Sequence, residues 1–132
     1  YVMIPLYKQF NDLKGYNIVS NLKTNLNCNF YANQLIYKKI GNIVFCYLII
    51  NAQPYENDSE EDFELEMPFT FINNWFFPNM KAAFNKNYYF RCVPNTNKIK
   101  LVGDLYSEIP VKVKDVGSGF IIYAQFFAFV QD

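Results

Sequence analysis

Seven of the chain's 12 acidic residues fall in one short run: Glu56, Asp58, Glu60, Glu61, Asp62, Glu64 and Glu66. Two chemistries could use such a run. A pair of carboxylates can hydrolyse a glycoside if one of them stays protonated. That needs burial to raise its pKa, and the polar neighbours here offer little cover. A set of oxygens can instead hold Ca²⁺, and Asp58, Glu60 and Asp62 are the candidate ligands, with Asn57 beside them. Their spacing departs from an EF-hand loop and lacks its central Gly. The competing reading is a solvated loop whose like charges repel. Asn57-Asp-Ser59 is also a glycosylation sequon.

A second group of residues suits binding. Trp75, the only Trp, follows Asn73 and Asn74. An indole ring can stack on the apolar face of a sugar while side-chain amides bond its hydroxyls. Tyr55 joins Trp75, Asn73 and Asn74 as a candidate ligand-binding residue. The alternative is that Trp75, Phe76 and Phe77 simply fill a core.

Most other chemistry is excluded. The chain has no His, which removes the commonest general base and metal ligand, and every Ser-His or Cys-His nucleophile. Gly117-Ser-Gly119 lacks the Lys and the helix that a phosphate loop requires. Cys28, Cys46 and Cys92 form no CxxC pair. They read as reduced thiols, although one pair could bond. No enzyme activity and no cofactor are expected. Outside the acidic run there are 12 basic residues against 5 acidic ones, nearly all of the former Lys and scattered, so no nucleic-acid partner is expected. No apolar run approaches the roughly 18–20 residues that cross a bilayer, and no membrane insertion is expected.

The elements that must position these residues are strands. Aromatic residues make up 20% of the 132 residues, and such residues favour strands and interfaces. Two β-rich runs flank Gly41-Asn42, the chemistry of a tight hairpin. Residues 43–50 are continuously apolar, so both faces of that strand need cover. Residues 52–66 read as a polar acidic loop, and 69–78 as a short strand running into an aromatic-bearing loop. Residues 80–84 could form a helical turn. Strands are expected at 88–93 and 98–102, with a turn at 94–97. The last strand, 120–130, sets Phe120, Ile122, Ala124, Phe126, Ala128 and Val130 on one face. Ile121, Tyr123, Gln125, Phe127 and Phe129 line the other, and again both faces are largely apolar.

Residues 17–27, rich in Asn, Lys and Thr, read as a connection. Residues 1–26 are assigned to an N-terminal arm or connector, and 27–132 to the head domain. The chain opens on Tyr1 without an initiator Met and reads as part of something longer. The expected fold is all-β: an antiparallel β-sandwich, a jelly-roll-like head. Its surplus of apolar strand surface predicts cover by neighbouring copies.

The segment Leu35-Ile-Tyr-Lys-Lys-Ile-Gly-Asn-Ile-Val-Phe45 resembles the Y-R-K-x-G-N-x-V hairpin in C-terminal domains of bacteriophage tail-fibre and baseplate receptor-binding proteins. The order that follows is also similar: a variable loop, an aromatic-bearing strand, another hairpin and a hydrophobic closing strand. The likeness runs from about Cys28 to Asp132. Where that family often carries L-P-x-G-Y-R-P, this chain has Asn73-Asn-Trp-Phe-Phe-Pro-Asn-Met80. The resemblance implies a homotrimeric head at a virion fibre tip, outside the host cell, recognising a host surface glycan or protein. It carries over no catalytic residues. An animal-virus fibre head and a structural or decoration module of a virion are the alternatives, with a carbohydrate-active enzyme behind them.

Overall fold

The computed structural model describes residues 15–55, 58–78, 88–103, 108–116 and 119–132. Within them the chain forms, in order, β1 (Asn17–Ser20), β2 (Cys28–Ile40), β3 (Ile43–Pro54), β4 (Glu64–Glu66), β5 (Trp75–Pro78), β6 (Tyr89–Cys92), β7 (Lys98–Val102), a 3-10 turn (Val113–Asp115) and β8 (Phe120–Phe129). Every strand pairing is antiparallel. The first sheet has the order β1-β2-β3-β8 and the second β4-β7-β6-β5. The second is a Greek key, with β5, β6 and β7 in sequence and β4 returned beside β7. The first is a three-strand meander closed by the last strand of the chain.

The β2–β3 hairpin sets the register. Ile40 pairs with Ile43, so Gly41 and Asn42 form the whole turn. Gly41 has φ +59°, while Asn42 is not among the positive-φ residues; positive φ at the first position alone is the type II′ pattern. Alternation then sends Val44, Cys46, Leu48, Ile50 and Ala52 inward, and all are buried. On β8 the inward set is Phe120, Ile122, Ala124, Phe126 and Ala128, followed by Val130. The second sheet answers with Leu65, Phe77, Phe90, Cys92, Ile99 and Leu101. These side chains form one core. Across it, the Phe77 ring stacks on Phe126 with centroids 3.9 Å apart, and on Phe90 at 5.2 Å.

The two seams between the sheets are closed differently. On one side, residues 21–26 cross from β1 to the free edge of β4, where Thr24 bridges Leu65 and Glu66 N–H donates to Lys23 O at 2.9 Å. Side-chain amides anchor this strap. Asn33 Nδ2 donates to Leu22 O at 3.0 Å, and Leu22 N–H donates to Asn33 Oδ1 at 3.1 Å. Asn25 repeats the device on residues 62 and 64. On the other side, Phe71 bridges Val130, and Trp75 at the start of β5 packs on Phe127 and Phe129 of β8.

Three readings need correction. Residues 17–20, taken as connection, form β1, and Leu22 and Leu26 belong to the core, so sandwich structure begins before residue 27. Val19 opposite Leu35 explains why so short a strand forms. Residues 52–66 are not one loop. β3 continues to Pro54, and from Asp62 the chain alternates carboxylates with the buried Phe63, Leu65 and Met67, a period-2 pattern that makes a strand. Trp75 lies on a strand, not in a loop. The helical turn considered for 80–84, residues 1–14 of the proposed arm and Asn57 of the sequon lie outside the described residues.

Candidate functional site

Asn73 and Asn74 are exposed in the turn leading into β5, and Trp75 behind them is half-buried. Arg91, the only Arg, sits opposite Phe76 on β6, and its Nε donates to Asn74 Oδ1 at 2.8 Å. The indole lies 5.3 Å from the Phe127 ring and 6.4 Å from Phe129. Trp75 therefore packs against the core seam and also borders the surface. The Asn74 amide and the Arg91 guanidinium meet on the outer side of β5 and β6, while Trp75, opposite the buried Cys92, turns the other way toward β8. Tyr55 does not join them. It follows β3 at the far end from the hairpin, ten residues beyond Phe45, which is opposite Phe127. At roughly 3.3 Å per residue, about 33 Å separates the two ends.

Four carboxylates of the acidic run, Glu60, Asp62, Glu64 and Glu66, pair with four lysines. Lys100 Nζ donates to Asp62 Oδ2 at 2.9 Å, and Lys112 Nζ to Oδ1 at 3.2 Å. Lys114 Nζ donates to Glu60 Oε1 at 2.7 Å. Lys98 stands 3.4 Å from Glu64 and 3.9 Å from Glu66. Register produces this arrangement: Glu64 is opposite Lys100 and Glu66 opposite Lys98, while Asp62 bridges Lys112. Partial burial pushes the Asp62 carboxyl up, but hydrogen bonds from Lys100 and Lys112 outweigh it and hold the group below its ordinary range. The Lys114 hydrogen bond likewise lowers Glu60.

These carboxylates line an open groove of about 620 Å³ with Thr24, Asn25 and Lys98. Glu60 and Asp62, both held below their ordinary range, are not the protonated carboxyl that a general acid requires. Among the described residues no three His, Cys, Asp or Glu side chains are placed to hold a metal ion. Of the Ca²⁺ candidates, Asp62 and Glu60 are held by lysines, and Asp58 is exposed beside the run. The lysine surplus of the linear sequence thus meets its counter-charges in space. Both effects follow from cross-strand register, which the linear charge count does not show.

The three thiols are free. Cys46 and Cys92 are buried on facing sheets, and burial pushes both thiols well up. A thiol without thiolate character is a core filler and a poor nucleophile.

The outer face of the first sheet is mostly apolar near the hairpin end. Three successive rows cross it: Ile18, Ile36, Tyr47 and Gln125; then Lys38, Phe45 and Phe127; then Ile40, Ile43 and Phe129. Ile36 and Tyr47 are 5% and 3% exposed, packed with Tyr16, Ile49 and Tyr123, and the Tyr47 hydroxyl donates to that of Tyr123. Beside this small second cluster, Phe45 and Phe127 remain 42% exposed, and Ile18 and Ile40 56%. Lys38 is the one charge in these rows, with its Nζ 5.3 Å from the Tyr16 ring centroid. The sequence pattern anticipates this face on β3 and β8. It missed the contribution of Ile18, Ile36 and Ile40, because polar neighbours dilute the apolar signal in β1 and β2.

No protein-family model, curated protein or solved structure matches this chain.

Proposed function

We propose that this domain is the receptor-binding head of a viral tail fibre or baseplate, of the phage type, working as a homotrimer on a host surface glycan or protein. The observation that carries the reading is a pair of exposed amides, Asn73 and Asn74, leading directly into the half-buried Trp75 at the start of β5. Asn74 accepts a hydrogen bond from Arg91, and Trp75 is the ring next to the amides in the chain. Amides and a guanidinium bond hydroxyls or carboxylates, and rings stack on apolar sugar faces. The β2–β3 hairpin with Gly41-Asn42 at its tip, and β8 closing the sheet beside β3, are in keeping with the resemblance read from the sequence.

The reading assigns the domain no catalysis of its own. Its support is the absence of His and the pairing of Glu60, Asp62, Glu64 and Glu66 with lysines. The test is binding of the labelled chain to an array of bacterial and animal surface glycans and to whole host cells. Saturable binding is expected, weakened about tenfold or more when Asn73 and Asn74 are both changed to Ala. Folded protein that binds no glycan and no cell surface would overturn the proposal. So would release of new reducing ends from a bound glycan.

A further inference from the structure

The assembled head needs a surface for its neighbours, and the two outer faces of the sandwich differ in fitness for that task. The second sheet presents Glu64, Lys100, Arg91 and Phe76 in one cross-strand row, with Glu64 ion-paired to Lys98 and Lys100 to Asp62 and Arg91 bonded to Asn74. Burying that row would strip water from several ions, which association rarely repays. The first sheet presents three contiguous rows with a single charge. At roughly 200 Å² per large apolar side chain, the exposed fractions of Phe45, Phe127, Ile18 and Ile40 leave about 400 Å² of apolar surface. A standard interface takes about 800 Å² from each partner, a little over half of it non-polar, or about 450 Å². Four side chains nearly supply that share, and Ile43 and Phe129 beside them are also incompletely covered.

We infer that the outer face of the first sheet, centred on the Phe45–Phe127 cross-strand pair, is where a second copy of this chain docks. This rests on the multimeric reading above and names the face it uses. Phe45 and Phe127 sit at the centre of the patch, where aromatic anchors contribute most to association. Gln125, on the edge strand β8, falls at its rim, where polar groups stay hydrated, and Lys38, within the patch, holds its Nζ near the Tyr16 ring.

Sedimentation velocity of the full 132-residue chain at micromolar concentration tests the inference. Wild type is expected to sediment as a multimer. Phe45→Asp and Phe127→Asp should weaken association by about thirtyfold or more. Ile109→Asp, at an 80% exposed apolar position off this face, should leave it unchanged. Circular dichroism reports folding. If either aspartate variant fails to fold, Ile18→Lys and Ile40→Lys, at more exposed positions of the same face, take its place. A multimer that survives all four changes overturns the assignment of this face while leaving the multimeric head standing. A monomeric wild type overturns both. If the aspartate variants of such a monomer also melt many degrees lower, the chain itself covers the face.

Discussion

The two sheets share an inner layer and differ on the outside. Where β4 pairs with β7, the outward positions carry a charge opposite its counter-charge: Glu64 faces Lys100, and Glu66 faces Lys98. In β3 and β8, outward positions near the hairpin pair apolar side chains, ring with ring at Phe45 and Phe127, and aliphatic with ring at Ile43 and Phe129. Both sheets obey the same alternation. What separates them is the second residue of each period, and that residue decides whether a face can rest against water or wants a partner.

The comparison can be broken first at the layer both sheets depend on. Phe90, fully buried and stacked on Phe77, should cost about 3–5 kcal/mol when changed to Ala. Chemical denaturation should then show both faces failing in one transition. Two separate transitions would mean that the sheets are independent units. Next comes the strap between them. Asn33→Ala removes both side-chain bonds to Leu22 and should cost about 1–3 kcal/mol, with hydrogen exchange rising at residues 21–26 before it rises in β3.

The charged face gives smaller and pH-dependent effects. Asp62→Asn should cost about 1 kcal/mol at neutral pH. The Asp62 carboxyl titrates below its ordinary value of 3.8 in the folded chain. Its contribution is therefore complete above that value and is lost as pH falls through the lower, folded one. Wild type and Asp62→Asn should converge in stability as the medium is acidified below about pH 4. A gap that stays constant there would deny the lysine pairing its role. Glu66→Gln, farther from its lysine and more exposed, should change stability by less than about 0.5 kcal/mol. High salt should erase the difference.

Much of this contrast was legible in the sequence. Strict alternation along 120–130 assigned every β8 side chain to its face, and Gly41-Asn42 located the hairpin. The acidic run misled because seven charges hide the buried Phe63, Leu65 and Met67 between them. Their spacing of two was visible, but the lysines that pair with four of its carboxylates come from 98–114 and meet it only through register. Tyr55 and Trp75 both looked available for a ligand. Only the path of β3, extended over 12 residues, shows that they belong to opposite ends. β1 was missed because Ile18 and Val19 are too few to signal a strand without Leu35 and Ile36 beside them.

The central claim is that ring surface on the outer face of the first sheet is hidden by another copy. Hydroxyl-radical footprinting across a dilution series reads it directly, since it reports side-chain exposure residue by residue. Phe45 and Phe127 should be protected at micromolar concentration and become reactive on dilution, while Tyr31 and Ile109, exposed in the single chain, react throughout. Equal labelling of Phe45 and Phe127 at every concentration would contradict the account.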